Sequence, residues 1–357
     1  MRVDSLVARG YRNLDDLEIE VPRGGFALLG RNGQGKTNLL EALYYPVLGR
    51  SLRGAADAEV ARLGGVGFHV GVTLPEGGTR SLSVTWPGPG RRKRIAADGA
   101  DAGRLADVIG TWVAVAFLPE DVALAGGGAA GRRHYLDRML SLADRSYLTA
   151  LGRYRAALAQ RNSALRQGRG DMAEAFDAPL AEAGAVVVKA RIAWLQGAGP
   201  RFAAELDDLG ESGAGALDYR RSAELEEPAG WRAALAAARG RDRARCMTTV
   251  GPHRDDLVLT VGGRELRTFG STGQQRSAAI ALKLLELDTL EAALGRCPAL
   301  LLDDVFAELD RGRQERLGRR LIEPDRRQVF LTAPRRDELP AELTLPVWGV
   351  EAGKVSR

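Results

Sequence analysis

Gly30-Arg31-Asn32-Gly33-Gln34-Gly35-Lys36-Thr37 fits the pattern Gly, four residues, Gly-Lys-Thr. An apolar stretch, Phe26-Ala27-Leu28-Leu29, precedes it, and a helix-compatible run over 37–45 follows. Strand, glycine-rich turn and helix in that order are the context in which this motif binds phosphate. Its glycines let consecutive backbone N–H groups close around an anion, and the helix N-terminus adds a fixed partial positive charge. All eight positions, 30–37, are therefore expected to line a nucleotide. Lys36 is expected to reach its β and γ oxygens and Thr37 to ligate Mg²⁺ through its hydroxyl. A bland turn carrying a surface lysine is the alternative, and the flanking strand and helix count against it.

Leu300-Leu301-Leu302-Asp303-Asp304 reads as a buried strand ending in two carboxylates. Beside such a loop Asp303 is the natural partner of the Mg²⁺, and Asp304 is placed to position or deprotonate an attacking water. Most of the chain lies between Lys36 and Asp303. An insertion that large resembles ABC-type ATPases and their relatives rather than a compact kinase or small GTPase. That group carries a serine-glycine motif at a second helix N-terminus. Ser271-Thr272-Gly273-Gln274-Gln275 stands in that place, between the insert and the carboxylate strand. A hydroxyl at a helix start also caps a helix without any ligand, so the motif has two readings. In the ABC-type reading Ser271, Gly273 and Gln274 meet the nucleotide of a partner subunit. Ala307-Glu308-Leu309-Asp310 falls where that group has the loop facing its partner, which makes Asp310 a further candidate. Thr332 ends the strand 329–332 where transporters carry a histidine, and Asp304 replaces the usual glutamate. Both departures point to slow hydrolysis.

Around these motifs the first hundred residues read as short strands, at 5–8, 17–21, 26–29, 66–74 and 81–86, with a basic hairpin tip over 87–94. A glycine-rich loop is expected over 126–131. Helical periodicity follows, with Leu148, Leu151, Tyr154, Leu158 and Leu165 on one face and Phe176, Leu180, Ala183, Val187, Ala190 and Trp194 on another. The turn 167–171 between them predicts an antiparallel helical hairpin with arms of about 20 to 25 residues, roughly 30 to 40 Å long. Strand and helix alternate again from about 246, with a Gly262-Gly263 hairpin turn and a helix over 274–294. The expected fold is α/β: an ABC-type P-loop ATPase head of mixed sheet plus an antiparallel β subdomain. Residues 1–119 and 241–357 form that head, and 120–240 form an inserted helical lobe without a long coiled coil.

The chain has 357 residues, 45% of them apolar and 27% charged, enough for an ordinary globular core in two or three domains. Its two cysteines and three histidines are scattered, which excludes zinc-type spacing and suits a reducing cytosol. The charged N-terminus and the absence of any run of about 20 apolar residues predict a cytoplasmic protein with no membrane partner. The net charge of +5 and a pI near 9.4 lean toward a polyanion. Only five of the 51 basic residues are lysine, and this arginine excess fits phosphate recognition and a GC-rich genome equally. The clusters 91–94 and Arg239-Arg241-Arg243-Arg245 are candidate DNA contacts, although solvated faces explain single clusters as well.

The motifs 30–43, Gly49-Arg50-Ser51-Leu52-Arg53, Phe117-Leu118-Pro119-Glu120-Asp121, Arg132-Arg133-His134-Tyr135-Leu136-Asp137, Gly251-Pro252-His253-Arg254-Asp255-Asp256 and 271–276 together resemble the RecF family of bacterial recombination-repair proteins. The likeness runs end to end and in order. Tyr11-Arg12-Asn13-Leu14 resembles the family's N-terminal motif, whose arginine, here Arg12, lies near the nucleotide. The resemblance implies ATP as ligand, an ATP-dependent homodimer, and a weak DNA-stimulated ATPase acting in DNA replication, recombination, repair and the SOS response. It also implies binding to double-stranded and gapped DNA, and work with RecR and RecO to load RecA. Departures are Gly126-Gly127-Gly128 and Thr272, where a glutamine is expected. An SMC-type chromosome organiser, a transporter subunit and a P-loop kinase are alternatives. The short insert, the missing histidine and the serine motif respectively oppose them.

Overall fold

The computed structural model describes residues 1–357 except 76–77, 224–226, 307–308, 310, 323–325 and 340–342. The chain forms two compact units, Met1–Glu120 with Glu286–Arg357, and Asp121–Leu285.

In the first unit a six-stranded sheet runs in the order Lys354–Ser356, Val347–Glu351, Gly25–Leu29, Val329–Ala333, Ala299–Leu302, Ala114–Phe117. Every pairing but the first is parallel. The inner strands are apolar on both faces because parallel sheets are covered on both sides. All four residues of Ala299–Leu302 are accordingly buried. Phe26 stacks on Trp348 at 4.2 Å between centroids and meets Phe330 edge-on at 4.9 Å, which ties three neighbouring strands together. The order leaves the strand before the glycine loop and the strand before Asp303 separated by one strand, Val329–Ala333. Being parallel, all three strands end on the same side of the sheet.

A second sheet of the same unit is wholly antiparallel, in the order Leu17–Glu20, Ser5–Arg9, Phe68–Thr73, Ser81–Trp86, Arg94–Ala97, Ala100–Asp101. Its strands alternate buried and open residues, as a sheet with one solvated face requires. The pairing of Ser81–Trp86 with Arg94–Ala97 makes 87–93 a hairpin tip, one residue shorter than the expected 87–94 because Arg94 already belongs to the strand. Helix Lys36–Leu48 is buried nearly all round, and Gly49 ends it in the left-handed conformation at φ 59°. The sheet pair is the expected ABC-type head with its β subdomain.

The second unit contains helices Ala129–Ala143, Arg145–Arg166, Asp177–Asp208 and Pro228–Arg245. It also holds the antiparallel sheet Arg264–Glu265, Asp256–Val261, Gly215–Arg220. The hairpin of helices forms as expected, but its second arm runs 32 residues, about 48 Å. Pro200 lies inside it without ending it. The expected loop 126–131 is mostly helical: a turn at Ala123–Gly126 precedes helix Ala129–Ala143. Arg132 stabilises that junction by donating to the carbonyls of Leu124 and Gly127, which the broken helix leaves open. Gly262 and Gly263, at φ 57° and 74°, make the two-residue turn expected of them. The second compact unit runs on to Leu285, because Asp256–Val261 pairs along its whole length with Gly215–Arg220. Among the described residues no helix is long and apolar enough to cross a membrane.

The lobe is organised around a buried charge. Arg161, 1% exposed, donates to Asp177 at 2.8 Å and to Asp242 and Thr248 at 2.7 and 2.8 Å, joining three helical segments. Removing one partner of a buried ion network leaves charges without compensation and costs about 3–5 kcal/mol. Arg161→Ala is therefore expected to destabilise the protein by that amount in urea denaturation. Limited proteolysis is expected to cut first within 145–250, and equal cutting of both units would contradict the assignment.

Candidate nucleotide-binding site

The turn 30–37 joins strand Gly25–Leu29 to helix Lys36–Leu48 in the expected strand, loop, helix order. Gly33 and Gly35 adopt φ of 79° and 118°, which side-chain-bearing residues avoid, so the loop needs glycine there. Two other segments grip it. Gln34 accepts from the backbone N–H of Gly353 at 2.9 Å and, through its side chain, from that of Ala352 at 2.7 Å. Asn13 donates to the carbonyl of Gly33 at 3.2 Å and accepts from Asn38 at 2.7 Å. Lys36 is buried at 4% exposure. Its ammonium donates to the carbonyls of Gly30 and Arg31 at 2.7 and 3.4 Å, neither of them an anion. A cleft of about 230 Å³ opens there, bounded by Gly33, Gly35, Lys36, Thr37, Arg53 and Asp304, with Asn32 and Asn38.

Two threonine hydroxyls converge on the paired carboxylates. Thr37 Oγ1 donates to Asp303, at 2.8 Å from Oδ2 and 3.0 Å from Oδ1. Thr332 Oγ1 lies 2.8 Å from Asp303 Oδ1 and 3.0 Å from Asp304 Oδ1, and it accepts from the Asp304 backbone N–H at 3.0 Å. A hydroxyl has one proton, so Thr332 divides it between two acids. Asp304 takes a left-handed φ of 48°, which turns its N–H toward that hydroxyl. Burial pushes the Asp303 carboxyl above its usual range, the two hydroxyls oppose this, and the neighbouring Asp304 charge adds to the rise. Among the described residues no lysine or arginine forms an ion pair with Asp303. A buried carboxylate held only by neutral donors, next to a threonine with lone pairs to spare, suits a hard divalent cation. Among the described residues no cluster of three His, Cys, Asp or Glu could hold a metal alone. A divalent cation here would need its remaining ligands from phosphate and water, as Mg²⁺ prefers.

Arg12 sits behind the cleft and forms a two-pronged pair with Glu41, at 2.9 and 3.1 Å. Arg53 also reaches Glu41, at 2.9 Å, and Asn38 at 2.6 Å. Glu41 is fully buried. Burial favours its neutral form, but Arg12, Arg53 and Ser51 override this and hold the carboxyl below the usual range. Glu41 and Arg53 belong to the site although their motifs give them no role there, and Thr332, which the sequence marks only as standing in place of a histidine, joins it through its hydroxyl. The signals were present: Glu41 is the one acid in an apolar helix, and Thr332 ends a buried strand.

Ser271 begins helix Thr272–Leu294. Its Oγ accepts from the N–H of Gln274 at 3.2 Å, and the Gln274 side chain accepts from the N–H of Ser271 at 3.1 Å. This reciprocal cap is the bland reading of the motif, and it coexists with the exposure of 271–273. Asp310 lies outside the described residues. In the two arginine clusters, Lys93 is committed to Asp57 at 2.8 Å, and Arg239 and Arg243 pair with Glu174, Asp177 and Asp171.

Thr332→Val removes the shared hydroxyl at nearly constant volume, and losing a hydrogen bond to a charged group costs about 1.5–3 kcal/mol. Mg-nucleotide affinity by titration calorimetry is expected to fall roughly tenfold or more with the fold intact; unchanged affinity would remove Thr332 from the site. Because the folded Glu41 titrates below its unfolded value, its stabilisation is complete above the unfolded pKa and lost as pH falls through the folded one. The stability deficit of Glu41→Gln should thus be constant above roughly pH 5 and shrink in more acid solution. A deficit that grows on acidification reverses the assigned sign.

No family model matches the chain. A DNA replication and repair protein RecF from Frankia alni is 38% identical over 379 residues, covering 100% of both chains. The RecF protein of Anaeromyxobacter sp. (strain Fw109-5) is 40% identical over 322 residues, 87% of this chain and 86% of that one. Among solved structures, one described as the recombination mediator protein RecF-ATP in the RecFOR pathway matches with a TM-score of 0.90 at 29% identity, covering 99% of this chain and 96% of that one. A Smc head domain from Pyrococcus furiosus, 15% identical with a TM-score of 0.53, covering 99% of this chain and 95% of that one, shares the fold alone. Its identity to a curated relative extends along its whole length, and this chain belongs to the RecF family of DNA replication and repair proteins.

Proposed function

We propose that the protein is an ATP-gated DNA clamp of recombinational repair: ATP binding closes a homodimer on duplex DNA at single-strand gaps, and slow hydrolysis reopens it. The observation that carries this reading is the cluster of Thr37, Asp303, Thr332 and Asp304 at the open cleft of the glycine loop. A second phosphate-seeking helix end stands exposed at Ser271, and each of these half-sites occurs once in the chain. The ATP complex named for the solved RecF structure supports ATP as the nucleotide. We assign the ATPase head to 1–119 and 241–357 and the inserted lobe to 120–240; the head's serine motif folds within the second compact unit.

In this mechanism the backbone N–H groups of 31–36 and the Lys36 ammonium hold the phosphates, with Lys36 exchanging its carbonyl contacts for phosphate oxygens. Arg12 lies close to the nucleotide. Thr37 keeps its proton on Asp303, so one hydrogen bond orients the two groups that would hold Mg²⁺. Bound there, Mg²⁺ would neutralise charge developing on the phosphates. Asp304 Oδ1 takes its hydrogen bond from Thr332, while Oδ2 stays available to accept a proton from the attacking water. Its side chain is one methylene shorter than glutamate, and Thr332 replaces a proton-relaying histidine, so turnover is slow. Ser271, Gly273, Gln274 and Asp310 complete the site from the partner subunit, with the Ser271 Oγ turned from its cap toward the γ-phosphate.

By the same reading the protein works in the cytoplasm, with RecR and RecO as partners, RecA as the downstream recipient, and DNA as a weak stimulator of the ATPase. DNA contact falls to arginines outside the internal pairs, such as Arg91, Arg94, Arg241 and Arg245, which are exposed. The hairpin arm of about 48 Å is far short of a chromosome organiser's coiled coil.

Sedimentation velocity with labelled duplex tests the gate. A doubled mass carrying DNA is expected in Mg-ATP and a monomer without DNA in Mg-ADP; identical behaviour in both would reject it. Ser271→Arg is expected to keep monomer ATP affinity within about twofold and to abolish the dimer, since a difference below about 0.4 kcal/mol is all that a remote half-site allows. Loss of ATP binding in that variant would count against a site shared between subunits. If phosphates dominate, DNA affinity falls linearly with log salt.

A further inference from the structure

Two stretches that characterise this sequence, Arg132-Arg133-His134-Tyr135-Leu136-Asp137 and Gly251-Pro252-His253-Arg254-Asp255-Asp256, contain none of the nucleotide-site residues. They lie far apart along the chain, yet the second unit brings them together. Arg132 clasps Asp256 with two bonds of 2.8 Å. Arg133 donates to the carbonyl of Asp255 at 2.8 Å. Arg191, 2% exposed, pairs with Asp137 at 2.6 Å, donates to the Pro252 carbonyl at 2.9 Å, and reaches Asp255 through the Tyr219 hydroxyl.

Between the two motifs lies a cavity of about 350 Å³. Leu151, Leu158, Val187 and Pro252 give it apolar walls, and Tyr154 closes one side. Its charged lining consists of Arg133, Arg155 and Arg191 against the single carboxylate of Asp137. Both oxygens of that carboxylate are already taken, Oδ1 by Arg191 and Tyr147 and Oδ2 by Arg155 at 2.8 Å. Among the described residues Arg133 has only a backbone carbonyl as partner, and Arg155 is half exposed. His253 adds no charge: burial pushes it down to about 4. Its ring is spent between the Tyr154 hydroxyl and the Thr248 carbonyl.

Arg132 and Arg191 suffice to staple the motifs. Arg133 has only a neutral carbonyl for its charge, and half-exposed Arg155 shares the one carboxylate of Asp137 with Arg191, so three guanidiniums face a single acid at the rim of an apolar cavity. A cation cluster over an apolar pocket binds an anion carried on an apolar body. A volume near 350 Å³ suits about one nucleotide, at the lower end of the roughly 300–1,000 Å³ range of small-molecule sites. We propose that this cavity takes the phosphorylated end of a DNA strand, with the phosphomonoester between Arg133 and Arg155 and the terminal sugar and base against the apolar walls. A phosphomonoester carries about −1.5 to −2 charges where an internal phosphodiester carries one, so two guanidiniums discriminate in favour of the end. The inference rests on the reading of the protein as DNA-binding, and it assigns the lobe a part in recognising where a gap begins.

The test is fluorescence anisotropy of the full protein in Mg-ATP with three probes. These are a covalently closed duplex, a recessed duplex ending in phosphate at the 5′ or the 3′ side, and the same duplex ending in hydroxyl. Two variants accompany the wild type. Arg133→Gln/Arg155→Gln removes the surplus charge. Ala130→Glu puts a negative charge at the cavity mouth in the first turn of helix Ala129–Ala143, where an acid suits the helix dipole and spares the fold. Wild type is expected to prefer one phosphorylated end over its hydroxyl counterpart by roughly tenfold, the scale of charge-assisted bonds. Both variants should lose that preference while binding closed duplex and ATP normally. Equal affinity for phosphate and hydroxyl ends in the wild type overturns the proposal while leaving DNA binding intact. Displacement of the end preference by thymidine 5′-monophosphate in the wild type supports it. Binding of that mononucleotide without any end preference replaces the strand end by a free nucleotide and so overturns it. Failure to bind even the closed duplex overturns the DNA reading itself and this inference with it.

Discussion

Asp303 is a carboxylate buried at the end of an apolar strand, and the architecture of the head turns on how that charge is held. Taking a carboxylate out of water is costly unless hydrogen bonds or an opposite charge compensate it. Here two threonine hydroxyls compensate in part, and the carboxyl is correspondingly pushed upward. A site in this condition favours a divalent cation because the cation removes the remaining cost. The same logic applies to Lys36, a buried ammonium held by carbonyls that an anion replaces to advantage. Each half of the site is stabilised by a ligand of opposite charge, so a phosphate that carries its own divalent cation would satisfy both at once.

The hydroxyls reach Asp303 because of sheet order. Parallel strands cannot follow one another directly and need crossovers, so neighbours in a parallel sheet come from distant stretches of chain. Val329–Ala333 lies between the glycine-loop strand and the Asp303 strand, pairing Leu331 with both Ala27 and Leu302. Thr332 is thereby carried to Asp303 and Asp304, where one proton serves two acids. The buried carboxylate of Glu41 collects Arg12 and Arg53, so the N-terminal strand region and the 49–53 turn are fixed to the loop helix.

The lobe follows the same principle. Arg161 and Arg191 are fully buried guanidiniums, the first held by Asp177, Asp242 and the Thr248 hydroxyl, the second by Asp137, two tyrosine hydroxyls and the Pro252 carbonyl. Buried arginines satisfied in this way make packing specific, because a shifted helix would strand a charge. Arg133 differs from them in meeting only a neutral carbonyl, and Arg155 in sharing its carboxylate with Arg191 while half exposed; that excess of positive charge at a cavity separates a recognition surface from a structural staple.

Legible in the sequence were the features whose chemistry is local. The glycine loop, the carboxylate strand, the Ser271 helix start and the helical hairpin each declare themselves within one short stretch of chain, through periodicity, backbone demands or a fixed motif. Even the cap made by Ser271 and Gln274 follows from their spacing. Arm length was less legible: arms of about 20 to 25 residues were expected, yet packing against neighbouring elements carries Asp177–Asp208 on through Pro200. The strand at 215–220 was hard to read for a related reason, since it is specified by pairing with 256–261 rather than by its own composition. The roles of Thr332, Glu41 and Arg53, and the convergence of the 132–137 and 251–256 motifs, were decided only by tertiary structure. A hydroxyl or a guanidinium acquires its function from the charge it faces, and here that charge lies on a segment 12 to 124 residues away along the chain.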